Sequence, residues 1–418
     1  MNPLRAFSGA DERLLLAVVV AIGLALRVAA MLFVGHTPES DELAYRAMAA
    51  SLLAGEGIVD NMGNRAMYNV GYPLFVIAPV SWLFGDSVRA VQLANAVLGA
   101  VSVVLCYCVA AAAGAGRGGR LIAAAAWALY LPASVYGVYL LKENLMVPLM
   151  LGVVWCALRL VSRPALSTGV VCGVLFGALA LSGNAALALA LAVAYALMAA
   201  PVGWRRRLTV AAAIAALAIA VATPWMVRNL VVLGAPVLNT NGGFNLYLGN
   251  NPAATGMFVS IGDTPHGEDW QSLRALGEVE ASAILRRDAL AWIADHPGQF
   301  AALALKKALY FWTPPIHEGK GPPSRIESMV RAAWALQFFV LAGAALACLA
   351  VRRLWGPRLT VLMLAVAAYT AVHMLFYVIF RYREPIMPVV CVLAALALEA
   401  LVVRRVFPSE PVALASRG

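Results

Sequence analysis

The chain predicts an all-α polytopic membrane protein, a bundle of about ten transmembrane helices with interfacial helices in its outer loops. Three observations carry that expectation. Hydrophobic residues make up 62% of the chain and charged residues 12%, against roughly 25% charged in soluble domains. Mean hydropathy is +0.82, and several apolar runs reach the ~20 residues that cross a hydrocarbon core as a helix. The basic residues fall as short clusters at alternate run ends, the signature of positive-inside sorting. A net charge of +10 scattered in this way forms no single patch and argues against a nucleic-acid partner.

The first run, Leu14 to Val34, is longer than the ~7–15 apolar residues of a signal peptide and no small-residue cleavage pattern follows it, so it reads as a retained span. One basic series comprises Arg5/Arg13, Arg117/Arg120, Arg159/Arg163, Arg205 to Arg207, Arg352/Arg353/Arg358 and Arg404/Arg405. Placing it all in the cytoplasm gives one path, with spans near 14–34, 88–112, 120–140, 144–161, 165–182, 184–200, 208–227, 330–351, 359–380 and 386–403. Ser182-Gly183-Asn184 is either a tight outer turn or a break within one segment. Both termini fall in the cytoplasm, and two outer loops, 35–87 and 228–329, have room for aqueous chemistry. The chain thus divides into an N-terminal transmembrane module, 1–227, the large outer loop, 228–329, and C-terminal helices with a short tail, 330–418. Cys106, Cys108, Cys156, Cys172, Cys348 and Cys391 all lie in apolar runs and show neither a disulfide framework nor metal spacing.

The first outer loop opens with Ser40-Asp41-Glu42-Leu43-Ala44-Tyr45, a paired acid in a chain that otherwise avoids charge. Thr37-Pro38 reads as a helix cap followed by proline at the first helical position, and Gly55 or Gly57 can end that helix. Asp41 and Tyr45 share a face, while Leu43, Ala47 and Ala50 form an apolar stripe suited to the membrane interface. The acids either complement the helix dipole or form the catalytic corner of a membrane enzyme. A second amphipathic piece, Gly71 to Gly85, is short for a span. In the large loop, Asn239 to Gly256 favours turns, Glu268 to Asp295 reads as a helix, and Gly298 to Trp312, with Lys306 and Lys307, reads as a helix on the membrane surface. The histidines, His266 and His317 among them, show no metal-binding pattern; no metal and no cofactor are expected.

Tyr369, His373, Tyr377 and Arg381 recur every four residues and predict a polar stripe on one helix face, which in a membrane favours a cavity over lipid. Pro385 marks a break before the last span. Arg228 ends a span on the side where sorting predicts no arginine, and Arg27 lies inside the first span, where charge is costly unless it snorkels to water.

Several segments together resemble the GT-C membrane glycosyltransferases, specifically glycosyltransferase family 39, which includes protein O-mannosyltransferases and aminoarabinose transferases acting on lipid A. They are Ser40-Asp41-Glu42-x-x-Tyr45, Gly71-Tyr72-Pro73-Leu74-Phe75, Leu140-Leu141-Lys142-Glu143-Asn144-Leu145, Thr223-Pro224-Trp225-x-x-Arg228-Asn229, Asn241-Gly242-Gly243-Phe244-Asn245-Leu246 with Gly249-Asn250-Asn251-Pro252, and Arg381-Tyr382-Arg383-Glu384-Pro385. The resemblance implies a GT-C-like bundle, a polyprenyl-phosphate-linked sugar donor, an acceptor approached from the non-cytoplasmic side and inversion at the anomeric carbon. Asp41 matches the family's catalytic aspartate, and Glu143 the acid that orients the acceptor or assists. Lys142 departs from the family pattern, where a small hydroxyl residue is commoner, and bears on the kind of acceptor.

The chemistry needs a base for the acceptor proton and positive charge for the departing phosphate, for which the planar arginine fork is suited. Arg381 and Arg383 are the foremost candidates, with Arg228 and Arg27 behind them. Glu42, Tyr45, Tyr72, Tyr377, His373 and Asn245 are expected to contact substrate. The expected partners are a polyprenyl-phosphate sugar, a glycolipid, polysaccharide or protein acceptor, and membrane lipids. The expected place is a bacterial cytoplasmic (inner) membrane with the site facing outward. A transporter or flippase of a lipid-linked or anionic substrate would also carry polar groups within helices, but usually shows repeats and paired broken helices, and neither is visible here. A non-catalytic scaffold leaves Asp41 and the arginines unexplained.

Overall fold

The computed structural model describes residues 9–314 and 321–403; Arg5, His317, Arg404 and Arg405 lie outside the described residues. Among the described residues every regular element is helical, with a single isolated bridge between Met257 and Val378.

α1 (Gly9–Phe33) exposes Leu14, Val18, Ile22 and Leu26, a four-residue repeat that presents an apolar stripe to lipid. α2 (Asp41–Leu53) begins later than Thr37-Pro38 implies: Ser40 precedes it with a φ of +49°, and the Glu42 carboxylate, rather than a threonine hydroxyl, accepts from the Glu39 N–H at 3.2 Å. Gly55, at φ +77°, ends it. Its buried face carries Glu42, Ala44, Tyr45, Met48 and Ala49, which leaves Leu43 and Ala50 outward. A π-turn over Pro73–Ile77 leads into α3 (Ala78–Phe84) and then α4 (Val88–Ala113).

The expected span over 120–140 is instead two helices, α5 (Arg117–Ala128) and α6 (Leu131–Tyr136). Pro132 has no N–H to bond back to Ala128, and its ring crowds that carbonyl. α7 (Glu143–Ser162) is buried almost all round and forms the axis of the bundle. α8 (Leu166–Ser182) ends at Gly183, where the chain turns and a 3-10 turn leads into α9 (Ala190–Ala199) running back. α10 (Trp204–Leu233) lies along α8. Gly169, Gly173 and Gly177 make that approach: a Cβ on Gly173 would stand 2.6 Å from the Ile214 carbonyl oxygen.

The large loop is more helical than its Asn/Gly content predicts. Asn241–Gly249 is a helix, α11, because Gly243 packs against Ser282 where a side chain would not fit. α12 (Trp270–Ala275) and α13 (Glu278–Asp295) replace one expected helix, divided at Gly277 with φ +96°. α14 (Pro297–Phe311) follows, then α15 (Arg325–Leu346), α16 (Pro357–His373) and the buried α17 (Met387–Leu398). Six described helices are long and apolar enough to cross a membrane: Ala10–Phe33, Val88–Ala113, Glu143–Ser162, Trp204–Leu233, Arg325–Ala350 and Phe380–Leu401. Four shorter apolar stretches, Pro73–Phe84, Leu166–Ser182, Asn184–Ala199 and Pro357–His373, accompany them.

The expected stripe over Tyr369 to Arg381 does not lie on one helix. α16 stops at His373, residues 374–379 run irregularly, and a 3-10 turn over Phe380–Ile386 carries Arg381. Side chains from the large loop take the carbonyls this break releases: Asn250 donates to Leu375 and Lys307 to Met374.

Candidate active site

Asp41 in α2 and Glu143 in α7 each stand in the first turn of a helix, where the helix dipole favours negative charge. The break after α16 brings Arg381 between them. Its Nη2 donates to Asp41 Oδ2, and its Nε lies 3.6 Å from Glu143 Oε1. Glu143 Oε2 and Arg381 Nε are buried without a hydrogen-bond partner. The Asp41–Arg381 pair forms one wall of a cleft of about 900 Å³, whose sides come from both expected outer loops and include Tyr45, Tyr68, Lys142, Phe244, Asn245, Tyr377 and Tyr382. Burial, reinforced by the Asp41 carboxylate, pushes the Tyr45 and Tyr68 hydroxyls above their ordinary range, so both stay protonated hydrogen-bond donors.

The loops are clamped together at the rim. Glu278, in the first turn of α13, accepts from the Arg65 N–H, from the Ala66 N–H at 3.0 Å and from the Thr240 hydroxyl at 2.9 Å. Behind Lys142 the cleft continues into a chamber of about 120 Å³ lined by Asn69, Glu143, Asn184, Asn245, Tyr369 and His373. Burial draws the Lys142 ammonium below its ordinary pKa, against the opposing pull of Glu143 and Asp41.

Of the residues singled out in the sequence, Asp41, Tyr45, Arg381, Tyr377 and Asn245 line the cleft, and Glu143 and His373 line the chamber. Others are placed elsewhere. Glu42 is buried and accepts from Leu140 N–H at 2.6 Å and pairs with His36 at 2.6 Å, which pins the start of α2 to the turn before α7. Tyr72 is buried beneath Tyr45 and donates to Asn95 Oδ1 at 2.8 Å. Arg383 donates to the Phe311 and Thr313 carbonyls, both at 2.7 Å, and stacks on Phe338. Arg228 holds the Ile58 and Arg65 carbonyls at 2.9 Å and lies over Trp225. Arg27 is buried inside the bundle, donating to Gly23 at 2.9 Å beside a small internal cavity it shares with Glu143, Arg381 and Glu384.

Glu278, Tyr68 and Tyr382, which line the cleft, and Glu384, beside the internal cavity, were not legible in the sequence. Glu278 looks like any acid opening a helix, and Tyr382 and Glu384 sat unread inside the Arg-Tyr-Arg-Glu-Pro segment. Among the described residues no group of three or more His, Cys, Asp or Glu is placed to hold a metal ion.

The helical bundle is similar in fold to solved membrane glycosyltransferases. The family model for dolichyl-phosphate-mannose-protein mannosyltransferases matches residues 72–227, a stretch that contains Lys142 and Glu143 but neither Asp41 nor Arg381. The chain is similar in fold to the oligosaccharyltransferase AglB of Archaeoglobus fulgidus in complex with an inhibitory peptide and a dolichol-phosphate: TM-score 0.55 and 14% identity, over 96% of this chain and 52% of that one. The same enzyme tethered to an acceptor peptide gives TM-score 0.57 and 16% identity, over 94% and 50%. The chain thus spans about half the length of those structures. A looser likeness, TM-score 0.46 at 18% identity over 92% and 78%, is to ArnT of Cupriavidus metallidurans. No curated protein sequence matches the chain.

Proposed function

We propose that the protein is an inverting glycosyltransferase that moves a sugar from a polyprenyl-phosphate carrier to an acceptor hydroxyl on the outer side of a bacterial cytoplasmic membrane. One observation carries the reading: two carboxylates from separate helices converge on a single arginine at the wall of a cleft at the bundle's end. In this reading Asp41 takes the acceptor's proton as its oxygen attacks the anomeric carbon, a contribution worth ~10²–10⁴-fold for a positioned general base. The bond from that carbon to the phosphate oxygen breaks on the opposite face, which inverts the configuration. Arg381 fixes the Asp41 carboxylate, Glu143 orients the acceptor, and the Tyr45 and Tyr68 hydroxyls donate to sugar oxygens.

The outward orientation is supported by the far end of the bundle. There Glu12 meets Arg117 at 3.3 Å and Arg120 at 3.7 Å, Arg358 donates to Ser162 and Arg206 to the Pro164 carbonyl. These basic residues gather opposite the cleft, and by positive-inside sorting that supports a cytoplasmic position for them and an outward one for the cleft.

The test is transfer by the purified protein in nanodiscs supplied with polyprenyl-phosphate sugars and a hydroxyl acceptor, with the anomeric configuration of donor and product read by NMR. Inverted product from the wild type, and none from Asp41→Asn, supports the reading. Passage of the intact sugar lipid between leaflets without transfer would replace it with a flippase.

A further inference from the structure

A sugar leaving a lipid phosphate needs a cation at the phosphate, and the arginines that the sequence offered for it are engaged elsewhere. Arg228 is held by backbone carbonyls and Arg381 by the two acids, while Arg27 and Arg383 donate to backbone carbonyls and keep a free Nη2 only inside the bundle, lining neither the cleft nor the chamber. Arg65 and Arg274 line the cleft as well, but neither lines the chamber beside Glu143. One cation remains beside the acids.

Lys142 precedes Glu143 at the start of α7 and lines both the cleft and the chamber behind it. No carboxylate lies within 4.0 Å of its ammonium among the described residues; its one hydrogen bond there, to Asn69 Oδ1, is 3.4 Å long. An ammonium carries three donors, so two are uncommitted. The dipole of a 20-residue helix adds positive potential at the same place. The chamber is lined by the side-chain amides of Asn69, Asn184 and Asn245 and the rings of Tyr369 and His373, a surface suited to hydroxyls and an apolar ring face.

We propose that Lys142 binds the anionic oxygens of the donor's phosphate at the mouth between cleft and chamber and neutralises them as the sugar departs. The inference rests on the function proposed above. As the acceptor oxygen bonds to the anomeric carbon, the carbon–oxygen bond to phosphate breaks. Its electron pair stays on the phosphate oxygen, which Lys142 holds, and the acceptor proton passes to Asp41. Pairing supports this division of labour: Arg381 is in direct contact with both carboxylates, whereas Lys142, though it feels the same acids, is paired with neither.

The experiment measures binding of undecaprenyl phosphate, of undecaprenol and of glucuronate to the full chain in detergent micelles, for wild type, Lys142→Gln and Lys142→Arg. The wild type is expected to bind the phosphate and not the alcohol. Lys142→Gln is expected to lose at least tenfold in affinity with unchanged thermal stability, and Lys142→Arg to keep most of it. Should the glutamine variant not fold, Lys142→Met, which matches the lysine stem, takes its place. Phosphate binding by the neutral variant at wild-type strength overturns the inference and leaves the glycosyltransferase reading standing. A loss confined to glucuronate overturns it in favour of a lysine that reads an acidic sugar. A wild type that does not distinguish phosphate from alcohol overturns both.

Discussion

Two clusters of acids and arginines stand at opposite ends of the bundle, separated by the length of α1, about 30 Å from Glu12 to Phe33. At the far end each carboxylate is fully engaged. Glu12 accepts from the Tyr107 hydroxyl at 2.5 Å and pairs with Arg117 and Arg120; Glu399 takes the Gly116 N–H with both oxygens at 3.0 Å and fills the space over Gly119. At the cleft end Glu143 Oε2 and Arg381 Nε have no hydrogen-bond partner, and Lys142 has no carboxylate within salt-bridge distance among the described residues. Both ends hold buried acids beside arginines, so pairing alone marks neither as a site. What separates them is a carboxylate oxygen without a partner: open space adjoins Glu399 too, but of the two carboxylates only that of Glu143 keeps hydrogen-bonding capacity beside it. A structural ion cluster uses its capacity to join helices, whereas a reactive one keeps some for a ligand.

The comparison can be broken by substituting equivalent groups at the two ends. Asp41→Asn keeps size and hydrogen bonding and removes the base; turnover is expected to fall ~10²–10⁴-fold with the fold retained. A wild-type rate in that variant would move the chemistry away from the cleft acids. Glu278→Ala removes the clamp on three donors from two loops; KM for the acceptor is expected to rise about tenfold, while kcat changes less. Steady-state kinetics separate the two, and an unchanged KM would show that the rim closes without the clamp. Glu12→Gln is expected to lower stability by about 1–3 kcal/mol, since it leaves two arginines short of a partner, part of that cost being screened by solvent. Turnover should be preserved, and a melting curve together with an activity assay reports both.

The smallest effect concerns Lys307. Burial holds its ammonium down to about 8, below the ordinary 10.5, with Asn250 Oδ1 at 3.1 Å and the Met374 carbonyl at 3.3 Å as its partners. A depressed lysine costs the folded state stability while it is charged. That cost is full below about pH 8 and shrinks as pH rises toward 10.5, so the unfolded chain binds more protons across this window and stability rises with pH. Lys307→Met should remove that slope. Melting temperatures of the two proteins at pH 8 and pH 10 give the difference directly, and parallel curves would mean that Lys307 does not titrate there.

The bundle was legible because lipid imposes simple demands: apolar length, charge at the ends, helices throughout. Its breaks were less so. Pro132 divides an expected span, and the four-residue repeat from Tyr369 to Arg381 looked like one helix face although the helix stops at His373. Periodicity reports which residues suit a helix, but not that Asn250 and Lys307, more than sixty residues away in sequence, supply partners for an unwound carbonyl. The same break carries Arg381 to Asp41, so the site's central contact depends on an irregularity that periodicity conceals. Asp41, Glu143 and Arg381 stood out because charge is rare in such a chain. For that reason Arg27 and Arg383 stood out equally, and only the folded chain separates the charges that face the cleft from those that bond to the backbone.

The central claim is that the uncommitted cluster, and not the saturated one, performs a transfer. The measurement is mass spectrometry of envelope glycolipids, polysaccharide and glycoproteins from a deletion strain complemented at matched expression with wild type, Asp41→Asn or Glu12→Gln. The account predicts one sugar mass present with wild type and with Glu12→Gln and absent with Asp41→Asn. Full restoration of that mass by Asp41→Asn would contradict it.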